Sequence, residues 1–197
     1  MIAKVRTTLI ILAGGQAKRM GGADKGLILF AGQPMIQTVL ERVTDRRMPV
    51  VISANRNFDL YARYGVKVVS DEIPGFCGPL AGIASALNHV RTDYAVTLPC
   101  DCPFVPRDYV ERMQGVMEQE QGCQCAAVRA QGIRQPVFMI LRREMRQSLL
   151  YYLEGGGRKV GQWLDEHSVR WIEFNDLSAF KNINTIEELK NSEKNYK

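Results

Sequence analysis

The chain has 197 residues, of which 46% are hydrophobic and 24% charged, and it carries a formal net charge of +5 at pH 7. This size and balance are typical of a globular domain and exclude an intrinsically disordered chain. No apolar run approaches the roughly 18 residues that a membrane-spanning helix needs, and the basic residues form no long cluster of the kind that binds nucleic acid. We therefore expect no membrane and no nucleic acid as partners. An anionic small substrate accounts for the positive charge, as does a solvated surface with a mild basic bias.

Strand-like and helix-like segments alternate along the chain. The predicted strands cover residues 8–12, 49–53, 66–70, 94–98, 125–130, 135–141 and 169–174. The predicted helices cover residues 34–44, 58–64, 79–90, 107–119, 142–153 and 160–167, with a last helix from Thr185. The strands at 125–130 and 135–141 are expected to pair as a hairpin around Gln131-Gly132. Near-continuous apolar strands that alternate with helices predict an α/β fold, with a mainly parallel sheet between two helical layers.

The N-terminus and the cysteines bear on the expected compartment. The segment MIAKVRTTLIILAGG lacks a small-residue cleavage site, so we interpret it as a strand and not as a signal peptide. The chain contains no C-x-x-C motif and only two histidines, His89 and His167, so a zinc site of the usual spacing is not expected. We predict a cytoplasmic protein with reduced thiols that act as small buried hydrophobes. The five cysteines are Cys77, Cys100, Cys102, Cys123 and Cys125.

Polar residues and glycines follow the ends of four predicted strands. In a parallel α/β sheet the ligand binds outside the carboxyl ends of the strands, so these residues are expected to form one pocket for a charged ligand. The four segments are Ala13-Gly14-Gly15, Ser53-Ala54-Asn55-Arg56, Asp71-Glu72 and Pro99-Cys100-Asp101-Cys102-Pro103.

The segment LAGGQAKRMGGADKG, residues 12–26, has the composition of a phosphate-binding loop. It matches neither G-x-x-x-x-G-K-[ST] nor G-x-G-x-x-G, which disfavours a P-loop NTPase and a dinucleotide-binding dehydrogenase. Gly14 and Gly15 allow backbone N–H groups to approach an anion closely. Lys18, Arg19 and Lys25 add cations that suit phosphate groups. A glycine-rich turn with solvated lysines is the alternative interpretation.

Two carboxylates stand out at the strand ends. Asp101 lies between Pro99 and Pro103, a rigid position for a Mg²⁺ ligand, and Mg²⁺ needs only one or two protein carboxylates when phosphates and water complete its coordination. The alternative is that Asp101 caps the following turn. Asp71 follows the third strand, where an acidic pair is also a common opener of a helix or turn.

Five segments together resemble a known family. They are LAGGQAKRMGGADKGLILFAGQPMI, DEIPGFCGPLAGIASAL, LPCDCPFVP, QPVF and FKNINTIEEL. In this order they resemble the molybdenum cofactor guanylyltransferases, which belong to the nucleotidyltransferases with a glycine-rich loop, and the likeness covers almost the whole chain. A related branch transfers cytidylyl groups to the same pterin, and its loop usually carries Ala-Gly in place of Gly14-Gly15.

The resemblance implies a Rossmann-like nucleotidyltransferase domain over residues 1–197, with the GTP side mainly in 1–105 and the pterin-acceptor side mainly in 106–197. It implies that Asp101 holds Mg²⁺ and that the catalytic residues are Arg19, Lys25 and Asp101. The implied nucleotide-binding residues are Leu12, Ala13, Gly14, Gly15, Lys25, Ser53, Asn55, Asp71 and Asp101. Either Ser53 or Asn55 faces the guanine or the ribose, because this chain has Ser53 where the family often has asparagine. The implied pterin-binding residues are Arg158, Asn182 and Asn184, and Asn184 has an alternative role as a helix N-cap.

The implied reaction transfers GMP from GTP to molybdopterin and releases pyrophosphate. Its expected partners are GTP, molybdopterin, other proteins of molybdenum cofactor biosynthesis, and the molybdoenzymes or chaperones that receive the product. A molybdopterin cytidylyltransferase and a non-catalytic nucleotide-binding module are the alternatives.

Overall fold

A computed structural model describes residues 6–15, 22–45, 47–73, 78–120 and 122–196 of the chain. Seven strands form one sheet: β1 (Thr7–Leu12), β4 (Val50–Ser53), β5 (Lys67–Val69), β6 (Tyr94–Pro99), β7 (Cys125–Ala130), β8 (Ile133–Arg142) and β9 (Val169–Phe174). Two short strands, β2 (Leu29–Phe30) and β3 (Gln33–Pro34), pair separately. The helices are α1 (Met35–Val43), α2 (Phe58–Ala62), α3 (Pro79–Leu87), α4 (Tyr109–Gln119), α5 (Arg146–Glu154), α6 (Val160–Asp165) and α7 (Ile186–Asn195).

The large sheet has the strand order β5-β4-β1-β6-β8-β7-β9. Among the described strands of this sheet, β8 alone runs antiparallel to its neighbours. Leu12 at the end of β1 is paired with Ser53 of β4 on one side and with Pro99 of β6 on the other. The carboxyl ends of these three strands therefore meet at one edge, and the predicted mainly parallel α/β fold is confirmed.

Helices cover both faces of the sheet because each central strand is apolar on both sides. In β1, Leu9 and Ile11 are buried against the face that also receives α1, α2 and α4. Ile10, between them, is buried against α3, α5 and α6 on the opposite face. This alternation follows from the two-residue period of a strand, and it explains why the run TLIIL reads as continuously hydrophobic.

The hairpin of β7 and β8 differs slightly from its prediction. Gln131 and Gly132 form the turn with φ values of 48° and 78°, as a two-residue hairpin turn requires. The second strand begins at Ile133, two positions earlier than expected, because the pairing continues to the turn through Ala130 and Ile133. The helix predicted from residue 142 begins with a 3-10 turn, Arg143–Met145, before α5.

The C-terminal helix α7 packs against the small β2–β3 sheet. Tyr196 contacts Phe30 with ring centroids 4.8 Å apart, and Glu193 accepts a hydrogen bond from the backbone N–H of Ala31. Thr185 is the N-cap residue of α7, and its hydroxyl accepts a bond from the N–H of Glu188. Glu188 in return accepts from the N–H of Asn184, the residue before the N-cap, at 2.8 Å, an arrangement that resembles a capping box. The alternative N-cap role of Asn184 is therefore wrong.

In the part of the chain that the structure describes, no helix has the length and hydrophobicity to cross a membrane. The cysteines in that part, Cys100, Cys102, Cys123 and Cys125, are buried and unpaired, as predicted. Cys77 lies outside the described residues.

Candidate active site

A cavity of about 510 Å³ opens where β1, β4 and β6 end. It contains most of the residues that the sequence assigns to the nucleotide, and it adds several that the sequence does not. Its lining consists of Leu12, Ala13, Gly14, Gly15, Asp24, Lys25, Ser53, Asp71, Gly78, Pro79, Gly82, Pro99, Cys100, Asp101, Val137 and Asn182. Arg19 and Lys18 lie outside the described residues.

Lys25 and Asp101 form an ion pair in this cavity. The Lys25 ammonium donates to Asp101 Oδ2 at 2.8 Å and to Asn184 Oδ1 at 2.6 Å. The side chains of Lys25 and Asp101 are only 20% and 8% exposed, so little water screens the pair. Asn182 donates to the other carboxylate oxygen, Oδ1, at 2.9 Å. The two asparagines assigned to the acceptor side thus bind the two charged residues assigned to the nucleotide side.

Backbone hydrogen bonds hold Asp101 in place. The N–H of Cys100 donates to the carbonyl of Leu12, which extends the β1–β6 ladder to the position before Asp101. The carbonyl of Asp101 then accepts from the N–H of Ile183 at 2.9 Å. Asp101 is therefore attached to the central sheet through one neighbour and to the C-terminal segment through its own carbonyl.

Asp24, directly before Lys25, is a buried carboxylate with a full set of partners. It accepts from the Tyr61 hydroxyl at 2.5 Å and from the Asn57 amide at 2.9 Å, and Arg56 Nε lies 3.5 Å away. Burial raises the pKa of Tyr61 above its ordinary value, with Cys100 and Asp24 adding to the effect, so this hydroxyl stays a hydrogen-bond donor. The network fixes the chain direction at Asp24 and so aims Lys25 at the cavity.

Arg56 connects the two described ends of the glycine-rich loop. Its guanidinium donates to the carbonyl of Gly22 at 2.9 Å and, at 3.4 Å each, to those of Gly15 and Ala23. Several donors in one planar group suit such a multiple contact. Arg56 therefore sets the distance between the strand that enters the loop and the segment that leads to Lys25.

Asp71 is partly buried and lies beside Asn55. The Asn55 amide donates to Asp71 Oδ2 at 2.9 Å, and its carbonyl oxygen accepts from the N–H of Asp71 at 3.0 Å. Burial raises the pKa of Asp71 above its ordinary value, and the hydrogen bond from Asn55 opposes that rise. Asp71 lines the cavity and Asn55 does not.

Gly82 allows α3 to approach the end of β4. A Cβ atom at this position would overlap the hydroxyl oxygen of Ser53 and would stand 3.4 Å from Asp71 Oδ1. Any larger residue would therefore push α3 away from the strand ends or displace Ser53. The absence of a side chain here keeps Ser53 and Asp71 at the same wall of the cavity.

A second cavity of about 640 Å³ adjoins the first and shares Asn182 with it. Most of the residues that line it have polar or charged side chains, and the full lining is Gln131, Gln135, Asp176, Leu177, Ser178, Phe180, Lys181, Asn182 and Asn184. Arg158, the third residue assigned to the pterin, lines neither cavity. Its guanidinium donates to the carbonyls of Leu153 and Gly157, and its own carbonyl lies 3.6 Å from the position of a Cβ at Gly78, a residue of the first cavity. The assignment of Arg158 to the pterin stays a prediction.

A family model described as the MobA-like NTP transferase domain matches residues 9–169. The chain belongs to this family. Its relatives include the molybdenum cofactor guanylyltransferase of Cupriavidus pinatubonensis, which is 43% identical over 198 residues, with 98% of this chain and 99% of the relative covered. The protein of the same name from Cupriavidus metallidurans is 44% identical over 193 residues, with 96% and 95% covered. The crystal structure of molybdopterin-guanine dinucleotide biosynthesis protein A from Archaeoglobus fulgidus has the same fold, with a TM-score of 0.79, 24% identity, and 95% and 97% coverage.

Membership of the MobA-like NTP transferase family makes the chain a nucleotidyltransferase, as the resemblance predicted. Such enzymes generally use a divalent cation. No three acidic, histidine or cysteine side chains gather as a metal site within the described ranges. A hard divalent cation needs only one or two protein carboxylates when a nucleotide supplies phosphate oxygens. Asp101, a carboxylate that lines the cavity beside Lys25, has the chemistry for that role.

Sequence reasoning missed Asp24, Tyr61, Arg56 and Gly82. Asp24 and Gly82 lie inside the segments that carry the family resemblance, so a signal existed for both. The sequence carries no signal for the role of Tyr61, because its contact with Asp24 joins residues that are 37 positions apart. Arg56 was noted at its strand end, but its role depends on carbonyl groups that composition cannot reveal.

Proposed function

We propose that this nucleotidyltransferase transfers GMP from GTP to the terminal phosphate of molybdopterin and releases pyrophosphate. The proposal is carried by two relatives that are 43% and 44% identical to this chain over nearly its full length. Both are named molybdenum cofactor guanylyltransferase. The cavity supports it, since glycines, a lysine and three carboxylates meet at the strand ends. We assign the GTP side mainly to residues 1–105 and the acceptor side mainly to residues 106–197.

We place the phosphates of GTP over Gly14 and Gly15 and beside Lys25. Among the described residues outside its chain neighbours, no atom lies within 4 Å of the position of a Cβ at Gly15, so backbone N–H groups of this turn can approach an anion. Lys25 lies where it can exchange part of its contact with Asp101 for a phosphate oxygen. The nucleoside then extends toward the part of the lining formed by Ser53, Asp71 and Gly82.

We place molybdopterin in the second cavity. This cavity meets the first at Asn182, so an acceptor there can reach the α-phosphorus without crossing the protein. Gln131 and Gln135 offer both donors and acceptors to a pterin ring, and Lys181 offers a positive charge to a phosphate.

In the proposed reaction an oxygen of the molybdopterin phosphate forms a bond to the α-phosphorus of GTP. The bond from the α-phosphorus to the bridging oxygen breaks, and pyrophosphate leaves with the electron pair. Lys25, and Arg19 by its place in the loop, reduce the repulsion between the two anionic reactants. Mg²⁺ bound at Asp101 would further neutralise the phosphates during the transfer. The remaining acceleration comes from holding the two substrates in line, which Asn182 supports from the shared wall and Asn184 from the second cavity.

The test is the nucleotide selectivity of pyrophosphate release with molybdopterin as the acceptor. We expect release with GTP and Mg²⁺ only when molybdopterin is present. Release with CTP but not GTP would assign the chain to the cytidylyl branch, and nucleotide binding with no turnover for any pterin acceptor would indicate a non-catalytic module. The cytoplasmic location, and the proteins that supply molybdopterin and receive the product, stay predictions.

A further inference from the structure

We propose that Asn55 is a positioning residue that acts through Asp71 and does not itself contact the nucleotide. It holds the Asp71 carboxylate so that one oxygen faces the cavity and the other is bound from behind. The inference rests on the proposed function, since it takes the nucleoside part of the substrate as the group that Asp71 meets.

Both polar atoms of the Asn55 side chain are engaged with the same residue. Nδ2 donates to Asp71 Oδ2 at 2.9 Å, and Oδ1 accepts from the backbone N–H of Asp71 at 3.0 Å. A planar amide bound at both ends has one orientation, because a flip would place donor against donor and acceptor against acceptor. Asn55 thus fixes the side chain of Asp71 relative to its backbone.

The other carboxylate oxygen lies near a residue that lines the cavity. Asp71 Oδ1 lies 3.4 Å from the place where a Cβ of Gly82 would stand, and Gly82 lines the cavity. Asp71 also lines the cavity, whereas Asn55 is absent from its wall. The nucleotide therefore meets the carboxylate and not the amide behind it.

Asn55 also favours the charged form of Asp71. Burial raises the pKa of this carboxyl, and the Asn55 amide lowers it again. An ionised carboxylate accepts hydrogen bonds from N–H or O–H groups and repels phosphate. The partner of Asp71 is therefore a donor group of the base or ribose, and the effect of Asn55 is confined to the nucleoside half of the ligand.

A purely structural role is the competing explanation. Asn55 Nδ2 lies 3.1 Å from the position of a Cβ at Gly14, so the side chain also supports the phosphate-binding turn. If this packing were its function, loss of Asn55 would disturb the phosphate site as much as the nucleoside site. The two explanations differ in which half of the nucleotide is affected.

The experiment is a double-mutant cycle on nucleotide binding without acceptor, with Asn55→Ala, Asp71→Ala and the double variant, measured with GTP, guanosine and pyrophosphate. We expect Asn55→Ala to weaken GTP and guanosine about tenfold, the size of one lost hydrogen bond to a charged group, and to leave pyrophosphate binding unchanged. The double variant should bind GTP no more weakly than Asp71→Ala alone. Asn88→Ala is the matched control, because Asn88 donates to the neighbouring carboxylate Glu72 outside the cavity.

Asn55→Asp separates the hydrogen bond from the packing. It keeps the shape beside Gly14 but sets a like charge against Asp71, so we expect it to weaken guanosine binding at least as much as Asn55→Ala. Additive losses in the cycle, or an equal loss for pyrophosphate, would overturn the proposal. If the wild-type chain bound CTP and not GTP, the guanylyl assignment would fail, and the same cycle with CTP and cytidine would still decide the role of Asn55.

Discussion

The ammonium of Lys25 lies 2.8 Å from a carboxylate oxygen of Asp101, although the two residues are 76 positions apart. Each is held by a further group, since Asn184 binds Lys25 and Asn182 binds Asp101. The cation and the carboxylate are thus kept side by side before a substrate arrives. Under the proposed function, a site organised in this way would need little rearrangement to receive a triphosphate.

Lys25→Ala should weaken GTP binding by roughly 10- to 100-fold, because a charge-assisted hydrogen bond contributes about 1.5–3 kcal/mol. It also leaves Asp101 with an unpaired charge in a poorly solvated place. Titration calorimetry with GTP measures the change. Lys67→Ala, an exposed lysine of the edge strand β5, is the control. Unaltered affinity in Lys25→Ala would remove this residue from the site.

Gly82→Ala should destabilise the fold by about 1–3 kcal/mol, because its methyl group overlaps Ser53 in a packed wall. At Gly161 in α6, a Cβ atom would meet no described atom outside its own helix within 4 Å, so Gly161→Ala should stabilise the chain by about 0.5–1 kcal/mol, the usual gain from replacing a helical glycine. Urea unfolding of both variants measures the contrast. A gain in both would mean that Ser53 moves aside without cost.

Asp71→Asn should raise stability at neutral pH while it weakens GTP binding. Burial raises the pKa of Asp71 in the folded chain above its value in the unfolded chain. Ionisation of Asp71 therefore destabilises the folded chain as pH rises from the unfolded-state pKa through the folded-state pKa. The advantage of the variant should therefore be full at pH 7 and fade as pH falls toward the ordinary aspartate range. Urea midpoints across this range test it, with Asp59→Asn, an exposed aspartate, as the control. If the stability advantage of Asp71→Asn grew as the pH fell, the raised pKa of Asp71 would be contradicted.

Thr185→Ala should cost about 1 kcal/mol of stability, the usual value of an N-cap, because it removes the acceptor for the N–H of Glu188. Thr185→Ser keeps that acceptor and should restore most of the loss. The free energy of unfolding of the wild type and both variants, measured by urea denaturation, tests this prediction. Equal stability of all three proteins would mean that water replaces the cap.

The sequence predicted the fold well where a segment had a strong local pattern. The run that contains Leu9, Ile10 and Ile11 is apolar on both sides, and only a strand between two layers accommodates it. The cavity followed from chain direction alone, since parallel strands bring Ser53 and Asp101 to one edge. Patterns of this kind depend on neighbours in the chain and are visible without the structure.

Roles that depend on distant partners were not predictable. Asn184 precedes a helix and is of a residue type that is common at N-caps. Thr185 nevertheless caps the helix, and Asn184 binds Lys25, 159 positions away. Asn55 and Ser53 were equal candidates to face the nucleoside, and they differ in that Ser53 lines the cavity whereas Asn55 makes a pair of hydrogen bonds to Asp71. An amide side chain fits many partners, so its type does not identify the one it has.

The contact between Asn184 and Lys25 has a consequence for folding during synthesis. The segment that carries Asn182 and Asn184, and the helix that packs beside Phe30, are the last described parts of the chain to be synthesised. Until the C-terminal segment has been translated, Lys25 and Asp101 lack the asparagine side chains that bind them in the complete chain. A nascent chain therefore lacks the two asparagines that hold this ion pair until the C-terminal segment is in place.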